Sequence, residues 1–284
     1  MTPLFDTHQH LIYPDRLGYG WTDGIDALKN QAFTLESYHA LTKDQGVMGT
    51  LFMEAGTDDP DYSAEVSMIA DLMKADESLR GIIASCRPED DSGFEAWLET
   101  CAALGVAGYR RILHVMPDDL SQSEAFRANV RKIGAQSKVF DLCVTAKQLP
   151  IGLELVRACT NTTFVLNHCG VPDIAGNDFA DWSREITVLA GEPSVICKLS
   201  GIMAYCGVEQ NRPQAITPYV DHVLEVFGPD RMVWGSDWPV INLGGGLPEW
   251  LAVTHSILDR LSPDEAAAIG HRNAERIYGV SMTA

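Results

Sequence analysis

Two histidines stand one residue apart near the start of the chain, His8 and His10 in DTHQH, with Asp6 two positions ahead of the first. Strand side chains alternate between faces, so Leu4, Asp6, His8 and His10 are expected to point the same way. Two imidazoles on one face can ligate an ion or polarise a carbonyl, and Asp6, one layer deeper, can accept a hydrogen bond from a histidine ring and orient it. A third imidazole, His168, ends an apolar run in LNHCG, and a carboxylate, Asp237, ends another in WGSDWP. Such a set could hold Zn²⁺, which takes nitrogen and oxygen ligands. It could equally hydrolyse an ester without an ion, with the carboxylate taking a proton from water and donors stabilising the oxyanion. An HxH pair by itself can also end a strand in solvent, so the chemistry requires a fold that brings the four residues together.

That fold is implied by a repeat of short apolar, β-rich runs starting at Leu4, Val47, Gly81, Val106, Val139, Thr162, Ser194 and Arg231, most of them followed by helical periodicity. The last helix is announced by Ser262 with Glu265 three residues on, a capping-box spacing, and by Pro263 at its first position. Alternating β and α segments imply a parallel sheet. Eight of them in 284 residues predict one domain over 1–284, an α/β protein of the (β/α)8 TIM-barrel type. A doubly wound sheet is the alternative, but no GxGxxG follows the first run. Barrel enzymes keep their catalysts at the C-terminal ends of the strands, where His8, His10, His168 and Asp237 all fall. The stretch from about 11 to 35 reads as a long loop over that mouth, a potential lid, with Tyr19 and Trp21 either lining a pocket or packing the loop down.

Composition narrows the partners. A net charge of −18 and the lack of a basic stripe argue against nucleic acid and against an anionic membrane surface. No run is apolar enough to span a bilayer, and the N-terminus lacks a signal-peptide pattern. Seven widely spaced cysteines without a CxxC pair predict free thiols in a reducing, cytoplasmic setting. The helical pattern is compatible with a monomer or a homo-oligomer.

The ordered series DTHQHL, GYRRIL, FDLCV, LNHCG, CKLSG, WGSDWPV and NAERIYG resembles the amidohydrolase superfamily over nearly the whole chain. The resemblance is to its lactonase branch, which includes 2-pyrone-4,6-dicarboxylate lactonase and the fucono- and rhamnonolactonases. It implies a cytoplasmic hydrolase that opens a sugar lactone or a carboxylated lactone from aromatic breakdown. His8, His10 and His168 would serve carbonyl activation or metal binding, and Asp237 would be the general base. Two-metal members of the superfamily carry a histidine on strand 5, where this chain reads VFDLCVT. A binuclear site is therefore not expected: the choice is no required cofactor or one divalent ion, zinc first, on His8, His10, His168 and Asp237. The alternatives are a metal-dependent decarboxylase of the same superfamily, which normally keeps the strand 5 histidine, and a barrel that binds a metabolite or metal without turnover.

For substrate contacts, Arg110 and Arg111 are adjacent, so one faces the barrel, where it can clamp a carboxylate in bidentate fashion, and a structural ion pair is an equally open reading for either. His114, Trp238 and Asn242 follow strand ends and are candidates for the pocket wall, with Arg16 and Arg212 as further cations. Lys198 in CKLSG either points inward, as a buried cation that requires a partner, or lays its stem between strand and helix, which is the expected placement. His39, His222, His255 and His271 fall in helical stretches and receive no role, and Cys169 is assigned to the face opposite His168.

Overall fold

The computed structural model describes residues 1–281. Eight strands, β1 (Leu4–Gln9), β2 (Val47–Met53), β3 (Leu79–Ser85), β4 (Val106–Ile112), β5 (Val139–Cys143), β6 (Thr163–Leu166), β7 (Val195–Ser200) and β8 (Met232–Gly235), pair in parallel in sequence order. The sheet closes where β8 meets β1: a parallel bridge joins Gln9 to Trp238, and Asp237 N donates to His8 O at 2.7 Å. This is the (β/α)8 barrel expected from the repeat.

Helices α1 (Leu35–Thr42), α2 (Tyr62–Ala75), α3 (Phe94–Ala103), α4 (Glu124–Ala135), α5 (Leu149–Ala158), α6 (Phe179–Ala190), α7 (Arg212–Phe227) and α8 (Leu247–Leu258) follow the strands in turn. Ser262 and Glu265 form the expected capping box in front of α9 (Pro263–Ala267). The pattern read as one final helix is broken by a widened turn over Ala268–Arg272 before α10 (Asn273–Tyr278). Within this turn, at Gly270, the backbone closes on the segment entering β1, where an added Cβ would stand 2.6 Å from Pro3 O.

Each strand sends one apolar side chain to the bottom of the barrel: Phe5, Leu51, Ile83, Ala107, Val139, Val165, Ile196 and Val233, closed off by Ala274 and Tyr278 of α10. Burying side chains of this size contributes about 1.5–3 kcal/mol each, and it sets the inward phase of every strand. Two residues further up, the same phase carries polar groups: Asp141, Asn167 and Lys198 point inward. Lys198 therefore lies within the barrel rather than between strand and helix. Its ammonium is compensated by Asp141 Oδ1 at 2.5 Å and Thr7 O at 3.0 Å, with neither charged side chain exposed. Asn167 and Tyr278 also donate to Asp141. Burial lowers the Lys198 pKa, and the Asp141 charge opposes that loss.

The 11–34 stretch is an ordered excursion. An isolated antiparallel bridge joins Ile12 to Phe33 at its base, Trp21 Nε1 donates to Ala55 O at 2.8 Å, and Gly18 N and Gly20 N donate to Asp61 and Asp58. It thus rests on the segment leaving β2 at the C-terminal end of the barrel.

Removing one partner of the buried pair leaves an uncompensated charge, a loss of about 3–5 kcal/mol. Asp141→Asn should show this drop in urea unfolding, and Asp141→Leu combined with Lys198→Met should recover much of it. A single variant within about 1 kcal/mol of wild type would remove the pair from the account of stability.

Candidate active site

The site grows from the β1–β8 seam. The inward phase set by Phe5 would turn His8 outward, but the β1–β2 register shifts between Asp6 and Gln9 and reverses the phase. Leu4 and Asp6 consequently do not share a face with the histidines, contrary to the simple alternation. Asp6 orients backbone, not an imidazole: its carboxyl accepts from His8 N at 3.0 Å, Ser236 N at 2.8 Å and Tyr38 OH at 2.6 Å. Ser236 Oγ donates in turn to His8 O. The two segments that carry His8 and Asp237 are thereby stapled side by side.

Asp237 and His168 both sit in left-handed backbone, at φ 58° and 53°. His168 lies in a short turn after β6 rather than on the strand, and this turn directs its ring back over the barrel. Such backbone costs a non-glycine residue about 1–3 kcal/mol and concentrates at functional sites. The space for the carboxylate depends on Gly201, where an added Cβ would stand 2.1 Å from Asp237 Oδ2. Gly235 performs the same service for His8, whose Cβ would lie 2.7 Å from any side chain there.

All four predicted residues meet. His8 Nε2 is 3.5 Å and His10 Nε2 3.4 Å from Asp237 Oδ1, while His168 Nδ1 is 3.7 Å from Asp237 Oδ2. The His8 and His168 ring centroids are 4.5 Å apart. His10 Nδ1 donates to Met53 O at 3.0 Å, which leaves Nε2 facing the carboxylate. His168 Nδ1 is within 2.9 Å of Ser200 Oγ. Asp237 Oδ2 is buried without a hydrogen bond. Burial pushes the His168 pKa down to about 4 against the pull of Asp237. Burial likewise drives His8 well below its usual value, helped by the positive fields of His168 and Lys198. For Asp237 burial acts upward, but the histidines and Arg110 outweigh it and hold the carboxyl below the ordinary range. Near neutral pH the site thus presents an ionised carboxylate among buried imidazoles, two of them neutral.

The arginines divide as alternation requires, though neither is free to clamp a substrate carboxylate. Arg110 points inward, but its Nε donates to Glu54 Oε1 at 2.6 Å, Nη2 to Glu54 O at 2.7 Å, and Nη1 to His8 Nε2 at 3.3 Å. Arg111 turns to the other side of β4 and pairs with Glu89 at 2.5 Å. Trp238 is buried against Phe33 and Tyr38, a packing position and not a pocket wall. Asn242 is half-buried in the turn after β8. His114 stands exposed beyond β4, its Nδ1 3.1 Å from Cys143 Sγ. Glu54 was not singled out from sequence. Its one signal is an acidic residue closing the apolar run VMGTLFMEA. Burial raises the Glu54 pKa, but Arg110 prevails and keeps it low, whereas burial and the Glu54 charge keep Glu65 behind it well above the carboxylate range.

The donors fit one divalent ion. Ligand atoms of His8, His168 and Asp237 lie within 4.8 Å of one another. Metal–ligand distances of about 2.0–2.1 Å place neighbouring tetrahedral ligands about 3.3–3.4 Å apart, close to the separations from Asp237 Oδ1 to His8 and His10.

Comparison with known proteins agrees with this architecture. The amidohydrolase family profile matches residues 5–280. An L-fucono-1,5-lactonase of Burkholderia ambifaria is 28% identical over 99% of this chain and 97% of its own length. A 2-pyrone-4,6-dicarboxylate hydrolase of Comamonas testosteroni is 27% identical over 79% of this chain and 71% of its own. A crystal structure of an amidohydrolase from Burkholderia multivorans with bound zinc superposes with a TM-score of 0.90 at 23% identity, covering 99% of this chain and 100% of that one.

Two outcomes follow from the geometry. Gly201→Ala should displace Asp237 and reduce turnover at least about tenfold with the fold intact by circular dichroism, because the carboxylate has no other place to go. In metal-free protein, unfolded histidine binds a proton below about pH 6.5 while folded His168 resists until about 4. Stability should therefore fall as pH drops through that window, and His168→Gln should flatten the slope of unfolding free energy against pH. An unchanged slope would show that His168 is not buried neutral.

Proposed function

Because the chain belongs to the amidohydrolase family, we propose that it is a hydrolase opening a lactone ring by direct attack of water, with Asp237 as general base. The observation that carries this reading is Asp237 Oδ2, a buried acceptor without a partner, beside three imidazoles. Water hydrogen-bonded to Oδ2 attacks the lactone carbonyl and gives its proton to the carboxylate. Charge on the tetrahedral oxyanion is stabilised by the positive field of Arg110 behind His8 and by His8 Nδ1–H, which has no other partner once Nε2 accepts from Arg110. The bond from carbonyl carbon to ring oxygen then breaks, Asp237 returns the proton to the departing alkoxide, and a hydroxy acid leaves. No covalent enzyme intermediate is required.

His8, His168 and Asp237, with His10 adjacent, would hold one divalent ion, for which zinc is the best match to a nitrogen and oxygen donor set. Such an ion supplies Lewis acidity and lowers the pKa of water. Asp237 Oδ1 faces His8 and His10, while Oδ2 lies 3.7 Å from His168 Nδ1 without a hydrogen bond and is the oxygen open to take the proton.

Within lactones, a neutral sugar lactone suits the site better than a dicarboxylate. Both β4 arginines are already spent on carboxylates, and Arg16 lies over the Tyr13 ring. The similarity to an L-fucono-1,5-lactonase along nearly the full chain supports the same preference. Seven free cysteines, six of them buried, support a cytoplasmic setting.

The test is acid release from a panel of sugar lactones and carboxylated lactones, with and without chelator. Asp237→Asn should lower kcat about a thousandfold with little change in KM. Near-normal turnover in that variant would overturn the mechanism, and activity that survives complete metal removal would place carbonyl activation on the protein donors alone.

A further inference from the structure

One aromatic residue at the barrel mouth is built to meet a ring. Trp182, Trp234, Trp238 and Trp250 are buried, and Trp97 is half-buried with its N–H on Ser85 O. Trp21 is 39% exposed. Its Nε1 donates to Ala55 O at 2.8 Å, so the polar atom of the indole is already used and the surface left open is apolar. The ring is also fixed in place. Gly18 N and Gly20 N are anchored on Asp61 and Asp58 at 2.9 and 3.0 Å, and an added Cβ at Gly18 would fall 2.3 Å from Asp58 Oδ2.

The position is beside the C-terminal end of the strand that carries Arg110. Gly56, at φ 64°, marks where the indole meets β4: a Cβ there would lie 3.4 Å from Trp21 Nε1 and 3.4 Å from Ile112 Cδ1. Ile112 is two residues beyond Arg110 on the same face of β4, and Arg110 reaches His8. Ala55, which holds the indole, directly follows Glu54, the partner of Arg110. Trp21 and Ile112 therefore form an apolar wall one layer above Arg110, the residue that reaches His8.

Resting on the lactone-hydrolase reading, we propose that Trp21 is the ring-binding residue of the site, stacking its indole face on the C–H face of a sugar-lactone ring. A sugar ring has one polar rim and a flatter C–H face, and a pinned aromatic plane binds that face at small entropic cost. The ring contributes to holding substrate and takes no part in proton transfer, so its loss acts mainly on KM.

The experiment uses the full chain and six-carbon aldono-1,5-lactones, with Trp21→Ala and Trp21→Phe as the variants. Trp21→Phe keeps an aromatic face but loses the N–H to Ala55, which separates stacking from loop anchoring. Trp21→Ala should raise KM about tenfold while kcat stays within about threefold, and Trp21→Phe should stay within about threefold of wild type in both. The aldonate product should quench the tryptophan emission of wild type and not that of Trp21→Phe. An unchanged KM in Trp21→Ala overturns the proposal. So does a Trp21→Phe variant as impaired as Trp21→Ala, which would assign the residue to the anchor. A wild-type enzyme that opens no lactone fails the hydrolase reading and takes this proposal with it, whereas an active wild type with indifferent variants overturns the stacking alone.

Discussion

The carboxyl of Asp6 ties the first strand to the last. With both ends of the sheet carrying reactive groups, His8 and His10 on one side and Asp237 on the other, their separation depends on how β1 and β8 are joined. Asp6 accepts from the backbone of both segments and from Tyr38 of α1, and is itself wholly buried. Its hydrogen bonds oppose the desolvation that burial imposes, which still raises the Asp6 pKa, and they hold the segment where the β1–β2 register shifts. The site is thus a property of the seam, supported by glycines at 201 and 235 that leave room for the carboxylate and the imidazole.

The second organising feature is charge compensation inside an acidic protein. The barrel interior holds two buried cations, Arg110 and Lys198, each paired with a buried carboxylate, Glu54 or Asp141. Burial, with the fields of His168, Lys198 and Arg110 added to it, keeps His8 neutral, and the histidines together with Arg110 hold Asp237 ionised. An interior of low dielectric makes these fields stronger than any surface pair, and it makes each pair costly to break. The −18 net charge of the chain resides largely on the solvated exterior and has little influence on this balance.

Several parts of this arrangement are legible in the residues themselves. The eightfold repeat of apolar runs announces a closed parallel barrel, because strands buried on both faces must be apolar and the helices between them must be amphipathic. His8, His10, His168 and Asp237 stand out since each ends such a run, and a barrel carries all strand ends to one rim. The Ser262 cap is equally local and was readable for the same reason.

Where alternation alone is applied, the reading fails in instructive places. Alternation gives Asp6 to a histidine ring, yet a bulge reverses the phase within β1. For Lys198 the sequence leaves the inward placement waiting on a partner, and that partner, Asp141, lies 57 residues away. For Arg110 a substrate clamp and a structural ion pair are equally open in the sequence, because Glu54 is likewise remote from it. By itself, the sequence determined the fold class, the strand ends and the identity of the four converging groups, all of which follow from local periodicity. Only the tertiary structure decided which charges are already neutralised, which face a bulged strand presents and how much room stands beside Asp237. Those depend on through-space partners and backbone approach, quantities that no one-dimensional pattern carries.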